Sequence, residues 1–263
     1  MPQTAPTTRV VSVDSCFVSF DGVNNVLDNV SLHVADGEFV SLVGPSGCGK
    51  TTMLNLLAGL VPLQRHGSIE VQGQPPSLGN SALAYMLARD SLLPWRTALK
   101  NAGFGMQVRG AAPDVWRKRA AEMLVSVGLG GFEASYPKAL SHGMRQRVAL
   151  ARTFAMDARL LLMDEPFGAL DAQTKLQLED LLLRLCQQFK HSVVFVTHDL
   201  AEAVALSDRV LVMSSRPGRV IADVTIDLPR PRSIRELQKT PRFHELYTEL
   251  WKLLESGWVR HEG

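Results

Sequence analysis

Only three cysteines occur in 263 residues, Cys16, Cys48 and Cys186. That scarcity excludes a disulfide framework, and no C-x-x-C spacing points to a metal site. They read as reduced thiols of a cytosolic protein. An excess of one charge is missing too. Lys and Arg number 28 against 26 for Asp and Glu, a formal net charge of +2. The sequence lacks the basic stripe that marks a nucleic-acid binder. No apolar run approaches the roughly 18 residues that span a bilayer. The N-terminal MPQTAPTTR has no signal-peptide core. Work at a membrane would therefore require a partner embedded in it.

What is present is an ordinary globular composition, 46% hydrophobic and 21% charged, enough for a sizeable core. Residues 1–9 read as a flexible tail. VVSV, FVSF and the alternating VLDNVSLHV read as strands, separated by a turn signal at Asp21–Gly22. FVSLV then runs into GPSGCGKTT and the helical MLNLLAGL. Pro113–Asp114 opens a helix that Gly128 closes. Strands return at LLLM (160–163), SVVFV (192–196) and RVLVM (209–213), with an amphipathic helix from Gln173 to Phe189. This alternation predicts a parallel sheet flanked by helices, with a helical insertion at about 95–158. RVIADVTIDL reads as a terminal strand or hairpin, and Pro229, Pro231 and their arginines as a linker. Phe243, Leu246, Tyr247, Leu250 and Leu254 recur at helical spacing. Such a stripe packs on its own domain or extends a dimer.

Gly44-Pro45-Ser46-Gly47-Cys48-Gly49-Lys50-Thr51, followed by Thr52, fits G-x-x-x-x-G-K-[ST] between a strand and a helix. Glycines let backbone N–H groups converge on phosphate oxygens. The helix beginning after Gly49 adds its positive end. Lys50 supplies a charge to the β/γ phosphates of ATP, and Thr51 offers a hydroxyl to Mg²⁺. Alone, this loop permits kinases, GTPases, helicases and transporter ATPases. The run from Leu160 to Met163 ends in Asp164 and Glu165, at the sheet edge where ligands bind. Asp164 suits Mg²⁺ held through water. Glu165 suits proton acceptance from an attacking water.

Leu140-Ser141-His142-Gly143-Met144-Arg145-Gln146-Arg147 precedes the helix VALARTFAM. With this segment the chain resembles the ATP-binding cassette (ABC) family of transporter ATPases over roughly residues 10–215, leaving 216–263 as a C-terminal extension with a terminal helix. Its Ser141, His142 and Gly143 stand where that family has a signature that contacts ATP across a dimer. Asp171 matches the family's D-loop, His198 its switch histidine and Phe20 the aromatic that stacks on adenine. Leu92-Leu93-Pro94-Trp95-Arg96 resembles the branch importing nitrate, sulfonates, taurine and similar solutes. The resemblance implies an α/β P-loop NTPase core with an antiparallel β subdomain and an inserted α-helical subdomain. It implies a homodimeric ATPase on the cytoplasmic face of the membrane, using ATP and Mg²⁺. Two permease subunits would be contacted near Leu92–Trp95, with a solute-binding protein engaged indirectly. A nucleotide-binding module with weak catalysis, or an ABC ATPase unconnected to transport, stays open.

Two positions depart from the pattern. The family's Q-loop glutamine is replaced by Ala88, which coordinates nothing; a water or Asp90 would have to fill its place. His142 replaces a glycine and brings an imidazole that either contacts the sandwiched nucleotide or points to solvent.

Overall fold

The computed structural model describes residues 8–62, 66–88, 91–168 and 170–258. Most of the N-terminal tail, and Asp90, lie outside the described residues. The chain divides into two compact units, Met1–Asn80 with Lys190–Gly263, and Ser81–Phe189.

In the first unit, β1 (Arg9–Ser19), β2 (Asn25–Ala35), β3 (Phe39–Val43), α1 (Lys50–Leu57) and β4 (Ser68–Val71) come first. β1 pairs antiparallel with both β2 and β4, forming a three-stranded sheet. The later elements of this unit are β7 (Ser192–Val196), α7 (Leu200–Leu206), β8 (Arg209–Met213), β9 (Val220–Thr225), α8 (Ile234–Leu237) and α9 (Pro241–Trp258). β3 lies between β7 and β8, parallel to both, and β9 closes the edge antiparallel to β8. Every residue of β3 and β7 is buried. This explains their unbroken apolar runs, because parallel strands are covered on both faces. Phe39 and Phe195 meet across the β3–β7 pair with ring centroids 5.6 Å apart.

The terminal helix packs on its own unit. Phe243, Leu246, Leu250 and Leu254 are buried in the contact of α9 with α7, β8 and β9. Full burial of each contributes about 1.5–3 kcal/mol. Tyr247 is half-buried beside that stripe.

In the second unit, β5 (Leu83–Met86) pairs parallel with β6 (Leu160–Asp164). Between them run α2 (Ala98–Ala102), α3 (Phe104–Val108), α4 (Pro113–Ser126) and α5 (His142–Ala155); α6 (Ala172–Phe189) follows β6. Pro113 stands in the first turn of α4 with Asp114 beside it, where a missing N–H is harmless and a carboxylate is favourable. Among the described residues, no helix is long and apolar enough to cross a membrane.

Candidate nucleotide-binding and hydrolysis site

The carboxyl ends of three strands in the first unit lie level. Leu42 pairs with Val196, and Val43 with Val212. The chain leaves β3 at Gly44 on the edge where open α/β sheets receive ligands. A Cβ at Gly44 would lie 2.9 Å from the Met213 carbonyl oxygen and 3.0 Å from Cys48 Sγ. Gly44 is thus required by packing. Gly47 and Gly49 are required by conformation, with φ of +79° and +106°. Ser46 and Gly47 are exposed and Pro45 is half-buried, so the crest of the loop is open to a ligand. Helix α1 begins without a side-chain cap and without an acid in its first turn, so no carboxylate competes there with an anion. Lys50 is buried, and its Nζ donates to the Gly44 and Pro45 carbonyl oxygens at 2.8 and 2.9 Å. Thr51 is exposed and Thr52 half-buried on that first turn. Three glycines, a helix start and a buried ammonium make a cradle that fits a polyphosphate.

Cys48 is fully buried under this loop. Burial pushes its thiol pKa up, while the neighbouring Lys50 ammonium pulls the other way. Burial likewise pushes Cys16 up to about 11. Thiolate, not thiol, is the nucleophile. Iodoacetamide at neutral pH should therefore alkylate fully buried Cys48 far more slowly than an exposed cysteine. The rate should recover in urea. Rapid labelling of the folded chain, read by mass spectrometry, would show that the loop opens far more readily than its packing implies.

His198 follows β7 in the same unit and is exposed. Its neighbours hold it there. The Thr197 N–H donates to Leu42 O at 3.2 Å, tying this turn to β3. The Thr197 hydroxyl donates to the Glu202 carboxylate. Asp199 caps α7, accepting from the Ala201 and Glu202 N–H groups at 2.8 and 3.3 Å. Phe20, at the end of β1, is 58% exposed. The loop after it is built on Asp21, which accepts from the N–H groups of Val23 and Asn24, the Asn24 amide and the Ser19 hydroxyl. Those bonds, led by the ones from Asn24, hold its carboxyl well below the usual range. The sequence announces this turn through Asp21–Gly22, but not its presentation of Phe20.

In the second unit, β6 delivers Asp164 buried and Glu165 half-buried. Glu165 has φ +43°, a left-handed conformation that costs a non-glycine residue on the order of 1–3 kcal/mol. Tyr85 pairs in register with Leu162. Burial first, and Asp164 second, push its phenol above the usual range; nothing in the sequence singles Tyr85 out. Ser141 caps α5, accepting from the Met144 N–H at 3.3 Å, and is exposed. His142 and Gly143 are half-buried. A Cβ on Gly143 would lie 2.7 Å from Thr174 Cγ2. Thr174 in turn donates its N–H to Asp171, 3.0 Å away, at the start of α6. The signature segment and Asp171 are therefore one packed cluster. Ala88 is exposed.

Trp95 is 72% exposed, and its backbone turn is fixed from beneath. Fully buried Asn101 accepts from the Leu93 N–H at 2.8 Å. It donates to the carbonyls of Leu93, Arg96 and Thr97 at 3.1, 2.9 and 3.1 Å. Arg96 stacks over Phe104, 4.8 Å from the ring centroid. One buried amide thus organises the whole Leu93–Thr97 turn.

Similarity to known proteins accords with this arrangement. The family described as "ABC transporter" matches residues 27–168. The chain belongs to the ABC transporter ATPase family. Among curated relatives of this ATPase is the taurine import ATP-binding protein of Rhizobium johnstonii, 40% identical over 236 residues, 88% of this chain and 90% of that one. The nitrate import ATP-binding protein of Synechocystis is 39% identical over 251 residues, 94% of each chain. Among solved structures, a dimeric ATP-binding cassette in a post-hydrolysis state with ADP and phosphate superposes with a TM-score of 0.71. It is 30% identical, over 83% of this chain and all of that one. The ATPase therefore has the P-loop fold of ABC cassettes, and proteins of its family bind nucleotide, form dimers and belong to transporters.

Proposed function

We propose that this ATPase energises import of a small solute such as a sulfonate, taurine or nitrate. It does so as a homodimer beneath two permease subunits at the cytoplasmic face of the membrane, with a solute-binding protein engaged through them. The observation that carries the importer reading is the exposed Trp95 turn, rigidly presented by Asn101. A rigid amphipathic ring is a favourable anchor at a protein interface. The names of the taurine and nitrate relatives support the solute class.

The roles divide by chemistry. Residues 44–52 bind the phosphates, and Phe20 stacks on the base. Glu165 accepts the proton of the attacking water. His198 contacts the γ-phosphate. Ser141, His142 and Gly143 of one copy contact the nucleotide on the other, and Asp171 orders that cluster. Among the described residues, no group of three or more His, Cys, Asp or Glu side chains forms a metal cage. Mg²⁺ needs none, since it keeps waters and shares phosphate oxygens. The Thr51 hydroxyl and the Asp164 carboxylate are oxygen donors of the right class to hold it. Bound there, Mg²⁺ would neutralise phosphate charge.

Reconstitution with the membrane subunits in proteoliposomes tests this reading. ATP-driven uptake of taurine or nitrate is expected. Trp95→Ala should leave the isolated chain's ATPase within about twofold and lower uptake at least ~tenfold, the loss of ~1.4 kcal/mol or more of contact. Uptake that survives the substitution would move the permease contact elsewhere. Ala88 favours a second reading, a nucleotide-binding module of weak catalysis. Phosphate release near background with saturating Mg-ATP, restored by Ala88→Gln, would establish it.

A further inference from the structure

The segment Leu228-Pro229-Arg230-Pro231-Arg232 looks like a linker in sequence, yet its arginines grip the end of a helix in the first unit. The Arg232 guanidinium donates through Nη1 to the carbonyls of Ala205 and Ser207 at 3.2 and 2.7 Å. Through Nη2 it reaches Ile226 and Leu228 at 3.4 and 2.9 Å, and through Nε Leu228 again at 3.3 Å. Arg230 donates to the Leu206 carbonyl at 2.9 Å and pairs with Asp208 at 2.8 Å. Together they occupy the last carbonyls of α7, the end of a helix that a cation suits. Ser207 and Ser41, both fully buried, share a hydroxyl bond of 2.5 Å that ties the same end to β3.

The arginine is held at a cost. Burial draws the Arg232 pKa down to about 10, and the nearby Arg230 charge adds to that. A half-buried guanidinium is tolerated when its planar fork is fully hydrogen-bonded, as it is here. The other end of α7 carries the switch histidine. His198 immediately precedes Asp199, whose side chain caps α7, and Thr197 is bonded to Glu202 in its first turn. Seven residues of helix span about 10 Å, so one short element links the arginine clamp to the turn that carries His198.

We propose that Arg232, seconded by Arg230, is a positioning residue for His198. The C-terminal segment fixes α7 along its axis, and α7 sets the imidazole at the height where the γ-phosphate is contacted. This rests on the reading of His198 given above, and it makes residues 228–232 part of the hydrolytic device.

The test measures single-turnover phosphate release, ATP affinity and amide hydrogen exchange on the full chain. Arg232→Met should lower the rate at least ~tenfold, since misplacement of a group by about 1 Å can cost up to ~100-fold. ATP affinity should stay within about twofold. Exchange at the amides of Asp199 to Glu202 should quicken. Arg232→Lys, with charge but no planar fork, should fall between Met and wild type. The double variant His198→Ala/Arg232→Met should be no slower than His198→Ala. A folded Arg232→Met with the wild-type rate overturns the proposal, as does a parallel loss of ATP affinity or an additive double variant. If Arg232→Met does not fold, Arg230→Met and Arg232→Lys are judged by the same criteria. Normal turnover in His198→Ala overturns the histidine reading itself and this inference with it. A slow His198→Ala beside a normal Arg232→Met overturns this inference alone.

Discussion

Replacing Glu165 by Gln should leave ATP affinity within about threefold and cut turnover by about 10²–10⁴. The substitution keeps the volume and the turn but removes the basic oxygen. Glu165 is suited to the role by its place as much as by its chemistry. It stands one residue past the buried end of β6, half-buried, with φ +43°. The next turn follows at once, Gly168 N–H donating to the Glu165 carbonyl at 3.3 Å. Strain of this kind persists where the surroundings over-determine a residue, and such places cluster at functional sites. Paired measurements of phosphate release and nucleotide binding decide the matter. Undiminished release in Glu165→Gln would assign the proton acceptor elsewhere.

Gly218→Ala should damage ATP binding from a position far along the chain from the phosphate-binding motif. A Cβ at Gly218 would lie 2.0 Å from the Cys48 carbonyl oxygen and 3.0 Å from the Met213 side chain. Backbone cannot swing aside as a long side chain can, so the loop or residue 218 must shift. Gly218 is itself fixed, exchanging backbone bonds with Val26 and Asp28 of β2 at 2.9 and 3.0 Å. Overpacking of this sort costs about 1–3 kcal/mol. If the loop absorbs it, ATP affinity falls about 5- to 150-fold. Gly130→Ala serves as the control, because its Cβ would meet only Val125 Cγ2 at an ordinary 3.5 Å. It should stay within about 0.5 kcal/mol of wild type. Calorimetric titration with ATP and thermal unfolding read both outcomes. Wild-type affinity and stability in Gly218→Ala would mean that the loop is looser than its packing indicates.

These two residues show what the sequence can and cannot disclose. The phosphate loop is legible because its chemistry needs eight consecutive residues, and the flanking strand and helix follow from local patterning. The alternation of strands and helices in the core is legible for the same reason. β9 is half legible; RVIADVTIDL reads as a strand, but its antiparallel pairing with β8 depends on residues brought together by the fold. The amide of Asn101, the clamp of Arg232 and the steric demand at Gly218 leave no sequence signature. Each works by touching backbone, and backbone looks alike in every residue type. Arg230 and Arg232 even mislead, since arginines between prolines resemble a solvated linker until their carbonyl partners are located. Tyr85 is hidden for another reason. Its neighbour Asp164 lies on a strand 79 positions later, and only register unites them.

The contact between Gly218 and the loop also bears on where this enzyme can be cut. The family match ends at residue 168 and the motifs end at His198, which invites a shortened chain stopping near 215. Such a chain would lose the segment that backs Cys48, the edge strand β9 and the arginines that hold α7. A chain ending near 215 is therefore expected to bind ATP more weakly than one extending through Arg232, which calorimetric titration of the two would show. The stretch around Gly218 is the rear wall of the phosphate loop.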